Sequence, residues 1–193
     1  MKNKKTFFII ALVFVLLIGG ATVLYRQLGK NIAAEQLATQ STSQSDESAA
    51  GETEQKIKAP DFTVYDADGN EVHLADYIGK PIVLNFWASW CGPCQSEMPD
   101  FHEKYLELGD DVHFLMINMT DGARETVESA SAFIAKNEYA FPVFYDTKSD
   151  AASIYGAYSL PTTFFIDADG YAIAQATGAI DAETLQRGLD MIK

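Results

Sequence analysis

Residues 59–193 are predicted to form one α/β domain with a mixed central sheet flanked by helices. Three observations predict it. Ile82-Val83-Leu84-Asn85-Phe86-Trp87 is a nearly continuous apolar run, the mark of a central strand covered on both faces. A helical pattern comes next and leads to a second apolar run, Val112-His113-Phe114-Leu115-Met116-Ile117, giving strand, helix, parallel strand. Near the C-terminus, Leu160–Asp167 and Tyr171–Thr177 flank the turn Asp167-Ala168-Asp169-Gly170, an antiparallel pair. About 135 residues suffice for a single core, and no internal repeat divides them.

The other elements are read from the same patterns. Phe62–Tyr65 and Glu71–Leu74 flank Asp66-Ala67-Asp68-Gly69-Asn70, which reads as a hairpin. The helix after Ile82–Trp87 spans about Pro93 to Leu108, with Met98, Phe101, Tyr105 and Leu108 on one stripe. Pro99 lies inside it, removes one backbone donor and is expected to kink it. Glu125 to Asn137 forms another helix, with Val127, Ala130, Phe133 and Ile134 apolar, succeeded by a short strand at Phe141–Tyr145. A brief helix is expected near Ala151–Tyr155. Asp181 is a good N-cap for a final helix that ends near Ile192 and carries Leu185, Leu189 and Ile192 on one face.

Ahead of this domain the composition changes twice. Met1–Thr6 carries lysines, and the uncharged stretch Phe7–Tyr25 makes a helix of about 28 Å, close to the hydrocarbon thickness of a bilayer. Residues 1–25 are therefore read as an uncleaved transmembrane anchor. A cleaved signal peptide is the competing reading, weakened by the length of the apolar run. The N-terminal lysines hold that end in the cytoplasm and place every residue after Tyr25 on the far side of the cell membrane. Residues 26–58, rich in Gln, Ser, Thr, Ala and Glu, read as a disordered linker with a reach of roughly 30 Å. The formal net charge of −13 argues against nucleic acid as a partner, since phosphate backbones repel it.

The chemistry is concentrated in Trp90-Cys91-Gly92-Pro93-Cys94, which holds both cysteines of the chain. Two thiols at this spacing, one at a helix start, form a reversible two-electron switch. As a structural staple so short a loop would add only about 2 kcal/mol. A zinc site would need His73, His102 or His113, none at finger-like spacing, and structural roles are expected for all three. No metal or organic cofactor is expected.

The strand ending Asn85-Phe86-Trp87-Ala88-Ser89-Trp90-Cys91-Gly92-Pro93-Cys94, Pro99 in the helix, and Leu160-Pro161-Thr162-Thr163 before a strand together resemble the thioredoxin superfamily. The added hairpin, the anchor and an extra helix-strand segment near residues 120–146 are similar to its TlpA/ResA-like branch. The resemblance implies a thioredoxin-like fold over residues 59–193 with an N-terminal hairpin and a helix-strand insertion. It implies that Cys91 attacks and Cys94 resolves, and that Pro161 is a cis-proline facing them. The helix start favours a thiolate at Cys91 for its own physical reason, the free N–H groups and the dipole. Leu160 would offer backbone hydrogen bonds to an extended client, and Trp90, Gly92 and Pro93 would border the bound segment. Tyr158 is a further candidate for the groove, whereas Trp87 reads as core.

Asn85 stands where thioredoxin has a buried aspartate and cannot titrate, so that role lapses or moves. The resemblance to ResA-like proteins, which carry a functional glutamate at the matching position, implies that it moves to Glu97, three residues after Cys94 on the same side of the helix. Burial would raise its pKa toward neutrality. The resulting expectation is an extracytoplasmic, membrane-tethered thiol-disulfide oxidoreductase that reduces exported clients and draws electrons from a transmembrane donor. By resemblance, clients include apocytochrome c and exported methionine sulfoxide reductase. The alternatives are a disulfide-forming oxidase, a low-turnover redox-sensing or client-binding module, and, more remotely, a peroxidase.

Overall fold

The computed structural model describes residues 37–39 and 56–193. Side-chain alternation in one strand decides how its layers form. In Ile82–Trp87 (β5) every residue is buried, with Ile82, Leu84 and Phe86 in one apolar layer and Val83 and Trp87 in the other. That two-sided burial requires neighbours on both edges. His113–Asn118 (β6) supplies one in parallel, from Ile82↔His113 to Trp87↔Asn118, and Thr162–Ile166 (β8) supplies the other, antiparallel.

The remaining strands extend this centre. Val143–Tyr145 (β7) adds in parallel beyond β6, and Thr63–Tyr65 (β3) with Glu71–His73 (β4) forms the predicted hairpin beyond β7. Tyr171–Thr177 (β9) pairs antiparallel with β8. With Leu37–Thr39 (β1) and Ile57–Lys58 (β2), the described sheet has the order β1-β9-β8-β5-β6-β7-β3-β4, and β2 also lies on β9. Gly92–Leu108 (α1), Val127–Lys136 (α2) and Ala182–Ile192 (α4) contribute Met98, Phe101, Ala130, Leu185 and Leu189 to the layer containing Val83 and Trp87. Asp150–Tyr155 (α3) and the hairpin cover the other face through Ala151, Phe62 and Val64.

Several boundaries shift for identifiable reasons. β7 begins at Val143 and β8 at Thr162, each after a proline that cannot donate to a ladder. Leu74, expected to end the hairpin, is buried and opens a 3₁₀ turn, Leu74–Tyr77. α1 runs unbroken through Pro99. α2 starts after Thr126, whose hydroxyl accepts from the Ser129 N–H, so Glu125 lies outside the helix. The Asp181 cap is present, its carboxylate accepting from the Thr184 N–H at 2.9 Å.

The expectation for residues 26–58 needs correction at five positions. Leu37, Ala38 and Thr39 pair with Ala176, Gln175 and Ala174, and Ile57 and Lys58 pair with Ala172 and Tyr171. A polar segment need not bury much apolar surface when an existing strand edge supplies its hydrogen-bond partners. Leu37 also packs on the core, and Lys56 bonds to Asp167 at 3.0 Å. The sheet thus begins before residue 59. The predicted anchor, residues 1–25, and the rest of the linker lie outside the described residues, among which no helix is long and apolar enough to cross a membrane.

Candidate active site

β5 ends at Trp87 and delivers the chain to the start of α1, where Cys91 is the N-cap in an extended conformation. Its Sγ accepts a hydrogen bond from the Cys94 N–H at 3.2 Å, and Gly92-Pro93 occupies the first helical positions. A helix start leaves backbone N–H groups without intrahelical partners, so negative charge on this sulfur is favoured there. Cys91 and Cys94 are joined as a disulfide with Cα atoms 5.2 Å apart. Cys91 is 5% exposed and Cys94 is fully enclosed, so a partner can reach only the first sulfur.

Cys91 opens into a groove of about 530 Å³ lined by Trp90, Gly92, Pro93, Met119, Asp121, Arg124, Ala157, Tyr158 and Leu160. Trp90 is 41% exposed and Tyr158 83%, so both leave aromatic surface open at the groove. The Leu160–Pro161 peptide bond is cis, and neither backbone polar group of Leu160 has a hydrogen-bond partner among the described residues. An extended segment laid along the groove would find those groups free. The candidate residues Cys91, Trp90, Gly92, Pro93 and Leu160 therefore share one surface, with Pro161 next to it in the chain.

Glu97 and Cys94 lie beneath that surface. Glu97 sits one turn after Cys94 and is 2% exposed. Its Oε1 accepts from Asn85 Nδ2 at 2.9 Å and its Oε2 from the Ile180 N–H at 3.0 Å. Burial pushes its carboxyl up to about 7; the Ile180 and Asn85 hydrogen bonds oppose that rise, and nearby Asp100 adds to it. Asn85 also donates to Thr163 Oγ1 at 2.9 Å, while its Oδ1 is buried without a partner. Trp87 is wholly buried, as its core reading requires.

A second buried carboxylate was not among the candidates. Glu125 is fully enclosed and accepts from the Ser89 N–H at 2.9 Å, the Ser89 hydroxyl at 2.7 Å and Asn118 Nδ2 at 2.8 Å. It ties the loop before Cys91 to the end of β6. In sequence it reads as an ordinary acidic residue at a helix start; only the register that brings Trp87 beside Asn118 reveals its partner. Glu125→Gln removes one acceptor oxygen and is expected to lower stability by about 1–2 kcal/mol, read as a fall in the urea midpoint at constant m-value.

The histidines stand apart from this site. His73 pairs with Thr63, His102 packs on Tyr139 and Phe141, and His113 packs on Tyr77. Among the described residues no group of three or more His, Cys, Asp or Glu side chains is placed to hold a metal ion.

Comparison with known proteins agrees with this geometry. The AhpC/TSA family profile matches residues 56–174. The thiol-disulfide oxidoreductase ResA of Bacillus thuringiensis is 37% identical over 138 residues, covering 70% of this chain and 76% of ResA. Among solved structures, a putative thiol:disulfide interchange protein DsbE from Chlorobium tepidum superposes with a TM-score of 0.63 at 30% identity, over 72% of this chain and 97% of that one. The exposed lipoprotein thioredoxin Etrx1 of Streptococcus pneumoniae gives 0.59 at 32% identity, over 68% and 98%.

Proposed function

Because this chain belongs to the AhpC/TSA family and, within it, to the ResA-like thiol-disulfide oxidoreductases, we propose that it reduces disulfides of exported client proteins outside the cytoplasm. The observation that carries the reading is the opening of Cys91, alone of the two sulfurs, into a groove beside the unpaired backbone of Leu160. In the reduced enzyme the Cys91 thiolate attacks one client sulfur. The client S–S bond breaks, one client sulfur leaves as a thiolate, and a Cys91–client disulfide forms. Glu97, ionised, takes the proton of Cys94, and the Cys94 thiolate attacks Cys91 Sγ. The second client sulfur leaves, the client has gained two electrons, and the enzyme holds the Cys91–Cys94 disulfide.

Residues 1–25 anchor the chain in the membrane and residues 59–193 carry the catalytic domain, preceded by the tether that begins at residue 26. Support comes from the length of Phe7–Tyr25 and the lysines before it. Gly92-Pro93 between the cysteines, the dipeptide of reducing thioredoxins, favours the reductase direction. Clients such as apocytochrome c or methionine sulfoxide reductase, and a transmembrane donor that restores the thiols, complete the cycle.

In intact cells a membrane-impermeant thiol reagent is expected to label Cys91 in its reduced form, and the purified chain is expected to reduce insulin disulfides. Accumulation of the Cys91–Cys94 disulfide in growing cells, with a potential near the oxidising end of the range at about −120 mV, would instead establish an oxidase.

A further inference from the structure

The helix-strand insertion reaches into the active site through one exposed side chain, Arg124. Its guanidinium carbon lies 3.5 Å from the centre of the Trp90 ring, on the wall of the groove that contains Cys91. The residues around it hold this position firmly. Asp121 Oδ1 accepts from the backbone N–H groups of Ala123, Arg124 and Glu125 at 2.8–2.9 Å, and Glu125 binds Ser89, next to Trp90, through two hydrogen bonds. Stacking uses the face of a guanidinium and leaves its N–H edge free to donate.

Two further observations concern charge. Arg124 is the only cation among the described residues that line the groove; it makes no ion pair within 4 Å of a described carboxylate, although its charge reaches Asp121 on the same wall. The chain as a whole carries a net charge of −13, so its overall field repels an acidic client. We propose that Arg124 is a specificity-determining residue that selects client segments bearing a carboxylate beside the cysteine under attack, with Trp90 and Tyr158 covering apolar neighbours. This deepens the disulfide-exchange reading above and rests on it. The guanidinium is already held in place, so pairing with a client carboxylate costs little side-chain ordering.

The test uses disulfide-bridged peptides, identical except for Glu, Gln or Lys beside the target cysteine. Each reacts with the reduced full chain in neutral detergent, and rates are divided by those of the same peptide with a small dithiol to remove intrinsic reactivity. The wild type is expected to favour the Glu peptide over the Lys peptide by about fivefold at low salt, the scale of a single exposed ion pair, with the ratio shrinking at high salt. Arg124→Glu is expected to reverse the order. A purely structural role on Trp90 would slow all three peptides alike. Equal normalised rates in the wild type, or the Glu preference persisting in Arg124→Glu, overturn the proposal while leaving disulfide exchange intact. Failure of the wild type to reduce any peptide overturns both.

Discussion

Cys94→Ser is expected to stall the enzyme on its client, leaving a Cys91–client disulfide that survives denaturing electrophoresis and dissolves on reduction. The reason lies in the different exposure of the two sulfurs. A client can reach Cys91, but only Cys94, enclosed beneath it, is placed to attack Cys91 from within. A serine hydroxyl cannot serve as that nucleophile at neutral pH. Cys91→Ser removes the entry point and is expected to cut insulin reduction by roughly a thousandfold or more, to the background rate. The same variant should trap nothing. Undiminished turnover in Cys91→Ser, or covalent trapping through Cys94 alone, would exchange the roles or abolish them.

Glu97→Gln is expected to change both kinetics and stability, with a pH dependence that identifies the group. The carboxyl has an ordinary value of 4.5 and a folded value of about 7. Between those values the folded chain retains a proton that the unfolded chain has released. Stability therefore falls as pH rises from about 4.5 to about 7 and levels off above, a loss of about 3 kcal/mol. Asp146, also raised by burial, contributes with the same sign, so the difference between wild type and variant is the quantity to measure. In denaturant melts across this window the variant should lack that part of the slope. Its amide can accept from the Ile180 N–H and donate to Asn85 Oδ1 once the Asn85 amide turns over, so the fold is expected to persist. Resolution of the mixed disulfide should accelerate in the wild type as pH passes about 7 and be roughly a hundredfold slower in the variant at pH 8. Identical pH profiles would remove Glu97 from proton transfer.

How far the residues foretold this arrangement depended on whether the signal was local. β5 and the course of α1 were legible because two-sided burial and a helical stripe are written into consecutive residues. Cys91, Cys94 and the cis bond before Pro161 were legible through a motif. The position of Glu97 was legible from its spacing after Cys94 and the ResA-like resemblance, and its burial against Asn85 fits that expectation. Glu125 was not, because an acid before a helix is an ordinary solvated residue unless Asn118 and Ser89 converge on it. Arg124 depends in turn on that convergence. The short strands at Leu37–Thr39 and Ile57–Lys58 were hidden because their stability comes from the β9 edge and they are only three and two residues long, within a polar stretch. In each hidden case the deciding partner lies far away in the chain.

Those two short strands have a consequence for how the molecule meets other chains. An uncovered sheet border is an indiscriminate adhesive, ready to zip onto any extended polypeptide. Here one border of the sheet is occupied by the chain's own β1 and β2, and the other ends in the three-residue β4. Both margins of the described sheet are thereby short, and under the proposed function an extended client would be left the backbone of Leu160, which has no hydrogen-bond partner among the described residues.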